Sequence, residues 1–158
     1  MRTFLFSVGI ASLLVVACGG SATAQEKKAK SLQLQDLSPA VQKTVQDNLD
    51  GGQIKSINKE KEDGVEQYEV ETMRNGKARD IIVDVKGKLL ALEEATPIDS
   101  IPASAKAAIL KKVGGGKLGS VETVTKPGQP AMYEADYKDK SGKNREIVVK
   151  ADGSETKE

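Results

Sequence analysis

The chain has 158 residues, with 24 Lys and Arg against 23 Asp and Glu, and no histidine at all. Its single cysteine, Cys18, lies near the N-terminus, so the folded part has no disulfide and no Ser-His or Cys-His catalytic pair. A formal net charge of +1 gives no electrostatic reason to seek nucleic acid or anionic lipid.

Residues 1–24 carry one cation, Arg2, then an apolar run from Phe4 to Ala17. Ala22-Thr23-Ala24 supplies an A-x-A cleavage signal before Gln25, so this segment reads as a secretory signal peptide. The run is shorter than the ~20 residues that span a bilayer, and no membrane span is expected. Val15-Val16-Ala17-Cys18, followed by Gly19-Gly20-Ser21, also resembles a lipobox. In that case Cys18 is lipidated, and the lipid anchors the protein without a spanning helix. Lipoprotein and soluble secreted protein both stay open. Either places the protein in the periplasm, at the cell surface or in the extracellular space. Removing residues 1–24 takes away Arg2 alone and leaves the formal charges balanced.

Residues 25–35, "QEKKAKSLQLQ", form a polar leader. A helix follows. Ser38 is its N-cap, Pro39 fits the first helical position, and Val41, Val45 and Leu49 recur at spacing four. Asp50-Gly51-Gly52 ends it. Four strands are then expected: Ile54 to Lys61, Val65 to Met73, Lys77 to Val85 and Lys88 to Glu94. The turns between them are Asp63-Gly64, Asn75-Gly76 (a strong type I′ signal) and Lys86-Gly87. Tyr68, Val70 and Thr72 alternate with Gln67, Glu69 and Glu71, the period of a strand with one face on a core. The helix stripe is the natural cover for that face.

After a linker at residues 96–99 the pattern restarts. Leu37, Val41, Val45 and Leu49 match Ile101, Ala105, Ile109 and Val113 at an offset of 64. Tyr68-Glu69-Val70 matches Tyr133-Glu134-Ala135, and the stretch Gly76 to Val83 matches Gly142 to Val149. Matches fall on caps, turns and core positions together, which marks an internal duplication. The expected fold is α+β: two tandem units, residues 36–95 and 100–158, each one helix packed on a four-stranded antiparallel sheet. A unit of this size is marginal alone, so the two share a core or pair strands into one longer sheet. The last strand of the second unit, "SETKE", is short and polar and is expected to be frayed or absent.

The segments "LSPAVQKTVQDNL", "GGQIKSI", "GVEQYEVE" and "NGKARDIIVDVKGKLL", with their counterparts "IPASAKAAILKKV", "GGKLGSV", "MYEADY" and "GKNREIVVKADG", carry a resemblance. Over nearly all of Leu37 to Gly153 the chain resembles the PepSY-like family, the group described as similar to beta-lactamase inhibitor proteins. The resemblance implies a helix-on-antiparallel-sheet unit found in exported bacterial proteins. It also implies a role in binding or restraining peptidases and other secreted enzymes.

The residues themselves offer little chemistry. No serine sits in an S-x-x-K motif, and Gly114-Gly115-Gly116-Lys117 fails the phosphate-loop spacing and follows a helix rather than preceding one. No D-x-D-x-D-G loop gathers oxygens for Ca²⁺. No catalytic residue, metal or cofactor is therefore expected. Glu69, Glu71, Asp80 and Asp84 are expected on a solvated sheet face balanced by Lys77 and Lys86. Tyr68, Tyr133 and Tyr137 fall at core-facing positions. Met73, Ile82, Met132 and Val148 point the other way, where they could form an apolar contact patch. The face expected to meet a partner comprises Glu69, Glu71, Met73, Ile82, Met132, Glu134, Asp136 and Val148. The expected function is an exported, non-enzymatic binding module that acts on a peptidase or another envelope enzyme. The alternative is a structural envelope component without a single specific partner.

Overall fold

The computed structural model describes residues 32–157. The expected signal peptide, the lipidation site Cys18 and the greater part of the polar leader lie outside the described residues. Helix α1 (Pro39–Leu49) is followed by strands β1 (Gln53–Glu62), β2 (Val65–Arg74), β3 (Lys77–Asp84) and β4 (Leu89–Ala95). Helix α2 (Ala103–Val113) precedes β5 (Lys117–Thr125), β6 (Met132–Lys138), β7 (Asn144–Lys150) and a two-residue β8 (Glu155–Thr156). No helix among the described residues is long and apolar enough to cross a membrane.

Local chemistry sets the ends of these elements. The Ser38 hydroxyl accepts from the Val41 amide at 3.4 Å, with Pro39 at the first helical position. At the other end of α1 the Arg79 guanidinium, on β3, donates to the carbonyl of Asn48 and so satisfies a helix-terminal acceptor. In the β2–β3 hairpin Asn75 and Gly76 both take positive φ, 50° and 79°, as a type I′ turn requires. Gly87, at φ 89°, lies against α1 so closely that an added Cβ would meet the Ala40 carbonyl carbon at 2.7 Å. There the Thr44 hydroxyl donates to the Gly87 carbonyl at 2.5 Å.

The strands form one eight-stranded antiparallel sheet in sequence order, β1 to β8. Two separate four-stranded sheets do not occur. β4 pairs with β5, from Leu92 opposite Thr125 to Ala95 opposite Glu122, and the Thr96 amide donates to the Val121 carbonyl at 2.9 Å. Pairing satisfies two rows of backbone groups that separate sheets would leave at open edges. The short last strand is present, pairing Val148 with Thr156 and Val149 with Glu155.

Both helices lie on one face of this sheet. Val41 and Val45 of α1 are fully buried against Ile57, Val70, Ile81 and Val83. Ala105, Ile109 and Val113 of α2 pack against Val121, Ala135, Ile147 and Val149. A third apolar cluster, made of strand residues alone, occupies the opposite face: Ile82, Ala91, Val124, Met132 and Val148, with Leu90 beside them. Register shifts in the β1–β2, β3–β4 and β5–β6 pairs mark bulges, which bend the strands they interrupt. In β4 the extra residue is Leu90, which joins the third cluster.

Candidate docking face

Residues directly opposite one another on paired strands share a face, and the register therefore maps the side of the sheet away from the helices. One row across it reads Ser56, Glu71, Asp80, Glu93, Val124, Met132, Lys150. A second reads Ala95, Glu122, Glu134, Val148, Thr156. Asn58, Glu69, Ile82 and Ala91 form a third, and Asp136 stands opposite Glu146. All eight residues expected to meet a partner lie on this face.

Their burial differs from the expectation of an exposed apolar patch. Met73 is exposed, but Ile82, Met132 and Val148 are at most 7% exposed within the third cluster. They form a buried apolar strip bordered by carboxylates. Lys77 does not balance the acids on this face. It stands opposite Arg74, on the helix side, with its ammonium 4.0 Å from Glu94. Tyr68, Tyr133 and Tyr137 all pack on the helix side.

Carboxylates dominate what remains. Glu71 faces Asp80, Asp80 faces Glu93, Glu122 faces Glu134, and Asp136 faces Glu146. Like charges set directly opposite on neighbouring strands destabilise a sheet. The protonation equilibria register that cost. Burial first, then the charges of Glu60 and Glu71, push the Glu69 carboxyl up to about 7. Burial, then Glu69, Glu122 and Glu71, push Asp80 up to about 7 as well. Gln67, buried beside them, donates to Glu60 and Glu62, each at 2.9 Å. Asn58 donates to Glu71 at 3.2 Å.

The pattern appears in both halves of the sheet. Glu69 and Glu71 on β2 with Asp80 on β3 correspond, 65 or 66 positions on, to Glu134 and Asp136 on β6 with Glu146 on β7. In the second trio the three carboxylates each bring an oxygen within 4.8 Å of the others. That spacing lets them share one cation, whether a metal ion or an ammonium or guanidinium group. Three carboxylates on strands are still short of the converging carbonyls that usually complete a Ca²⁺ shell.

Sequence reasoning placed Glu69, Glu71, Asp80, Glu134 and Asp136 on this face, with Asp80 as a solvated acid outside the expected site, and did not single out Glu93, Glu122 and Glu146. The alternation along each strand carried the missing signal. Asp80 and Ile82 share one parity in β3, and Glu146 and Val148 share the other copy's. An open hollow of about 350 Å³ sits between Ala78, Ala95, Pro97 and Ser120, with Lys77 its one charged lining residue.

By sequence, the chain matches no family profile and no curated protein. Solved structures similar in fold include the following three. A DUF2874 family protein from Bacteroides ovatus shares 14% identity at a TM-score of 0.59, over 77% of this chain and 85% of its own. A Bacteroides eggerthii chain, provisionally described as periplasmic, shares 13% at 0.61, over 77% and 86%. A BLIP-like protein from Bacteroides fragilis shares 17% at 0.56, over 77% and 84%. At these identities the likeness carries the fold alone: this chain has the fold seen in DUF2874 and BLIP-like proteins.

Proposed function

We propose that this chain is an exported, non-enzymatic binding module, built as a tandem of PepSY-like units at residues 36–95 and 100–158. It docks another exported protein, a peptidase or other envelope enzyme, on the sheet face away from the helices. The observation that carries this is the segregation of the two sheet faces. Both helices cover one side, while the other keeps a run of carboxylates set against one another around an apolar strip. A face kept that way at a cost in stability is a face with a use. The BLIP-like and provisionally periplasmic structural neighbours support the same assignment. So does the absence of any histidine, which removes the commonest general base.

Two measurements test it. Intact mass of the protein recovered from the envelope should show a start at Gln25, or at Cys18 with an attached lipid. A mature protein retaining residues 1–24 in full would overturn export. Residues 25–158 used as bait in envelope extract should retain a protein that is lost when Glu71 and Asp136 are changed to Lys. It should be kept when Leu110, exposed on α2, is changed to Lys. Retention indifferent to the sheet face would overturn the docking assignment. Reproducible turnover in a peptidase or esterase panel, lost on a single Ser→Ala change, would overturn the non-enzymatic one.

A further inference from the structure

The assignment above leaves the chemistry of the partner open. Building on it, we propose that the sheet face away from the helices takes a polypeptide segment rich in lysine or arginine, laid across the strands between the two carboxylate trios.

Three observations lead there. The first is charge segregation. Over its whole length the chain is almost neutral, at +1, yet the inner positions of this face carry carboxylates. The cations of the same strands are displaced to strand ends, as Lys150 is, or to the helix side, as Lys77 is. The second is the placing of like charges. Glu71 against Asp80 and Asp136 against Glu146 repel across adjacent strands, and a neutral residue at either position would relieve the strain. An incoming ammonium or guanidinium group relieves it too, and charge-assisted bonds to carboxylates are the strong ones. The raised protonation of Glu69 and Asp80 fits, because a cation bound there restores the charged form. The third is the apolar strip between the trios. Ile82, Val124 and Val148 lie among the acids and are at most 7% exposed, so the acids stand over an apolar floor already closed to water. Such a surface complements an extended segment through charge: its cationic side chains reach the trios, over a floor that keeps water from screening them.

The test uses the mature protein and a synthetic peptide of alternating Lys and Val, with analogues in which Gln or Glu replaces every Lys. The Lys-Val peptide should bind, the analogues should not, and added salt should weaken binding because exposed charges are screened. Replacing the Glu69 and Asp80 carboxylates (E69Q with D80N) should weaken binding roughly ten-fold or more, and E134Q with D136N should do the same. The E69Q, D80N variant should keep or raise the melting temperature, since it removes repulsion. A merely structural role for these acids would lower it.

Binding unchanged in both double variants would overturn the proposal. Equal binding of the Gln-Val analogue would overturn the cationic partner while leaving the docking face standing. So would failure of the Lys-Val peptide to bind while envelope bait experiments still retain a protein through this face. Ca²⁺ alone, titrated without peptide, should leave the melting temperature unchanged. A rise abolished by the E134Q, D136N variant would assign the face to a metal instead. Self-association through this face in sedimentation would assign it to a second copy of the chain.

Discussion

The charge of Glu122 on β5 helps hold the carboxyl of Glu69 on β2 in its protonated form, although β3 and β4 lie between their strands. In a flat sheet, strands three apart stand ~14 Å from each other, beyond a Debye length at ordinary ionic strength. The interaction fits a bend of the sheet about the strip of Ile82, Ala91 and Val124, where small side chains and bulged strands let the acids approach. Burial is the larger cause for both Glu69 and Asp80, and Glu60, Glu71 and Glu122 add to it. Each folded-state pKa is raised, from 4.5 or 3.8 to about 7. The native state therefore binds more protons than the unfolded chain between about pH 4 and pH 7. Stability falls as pH rises through that window and levels off above it. The melting temperature at pH 5 should exceed that at pH 8 by roughly 3 °C or more. Asp99 and Asp152, both exposed, and half-buried Asp139 are shifted downward by hydrogen bonds, and their contribution is lost only at lower pH, outside this window. A flat or rising profile from pH 5 to pH 8 would contradict the assignment.

Single neutralisation should reproduce the effect of acid. Asp80→Asn keeps an oxygen to accept from the Thr72 backbone and removes the charge opposed to Glu69, Glu122 and Glu71. At pH 8 it should stabilise the protein by about 1 kcal/mol, a screened fraction of what the shift would carry in a dry site. At pH 5, where the wild-type carboxyl is largely protonated, it should change nothing. Denaturant unfolding at both pH values checks this, and a loss of stability at pH 8 would show that the Asp80 charge is satisfied.

Much of this architecture is legible in the sequence. Val41, Val45 and Leu49 recur every four residues, and Asn75-Gly76 admits only one short turn. The parity that put Tyr68 on the core also put Glu69 off it. What the sequence hides is long-range. Which edge of β4 pairs with β5 depends on where Thr96 and Pro97 carry the chain. The bulge at Leu90 breaks the alternation that would otherwise turn it to the helix side. Arg79 looks like a surface cation until α1 is docked and its last carbonyls need a donor. Ile82, Met132 and Val148 read as exposed because their burial comes from one another and from Ala91 and Val124 on strands far apart in sequence, which no local period encodes.

The glycines at Gly87 and Gly153 should be far less replaceable than the one at Gly64, although all three have φ between 85° and 89°. Nothing lies within 4 Å of a Cβ built on Gly64, so Gly64→Ala should cost the left-handed penalty alone, ~1–2 kcal/mol. At Gly87 the Cβ would sit 2.8 Å from the Ala40 carbonyl oxygen, and at Gly153 it would sit 2.7 Å from that of Ser104. Both contacts are with helix backbone, which cannot turn aside, and each should add ~1–3 kcal/mol of overpacking. Three alanine variants melted side by side decide this, and equal losses would show that the helices yield to the turns.

Whether the two halves unfold together follows from the third cluster. The helix-side cores are separate, Val45 belonging to one and Ile109 to the other. The opposite face joins them, because Ile82 and Ala91 come from β3 and β4 while Val124, Met132 and Val148 come from β5, β6 and β7. With the β4–β5 ladder and the 2.8 Å bond between the Thr96 and Thr123 hydroxyls, this makes the seam a packed interface rather than a linker. Ile109→Ala should cost ~2–5 kcal/mol, with Val45→Ala nearer the low end, against ~5–15 kcal/mol for a whole domain. Both should lower one common transition. Val124→Ala, at a fully buried seam position, should lower the same transition without splitting it. Calorimetry on the mature protein and these three variants separates the outcomes. If Val45→Ala shifts one transition and Ile109→Ala another, the halves are independent and the shared strip contributes nothing to cooperativity.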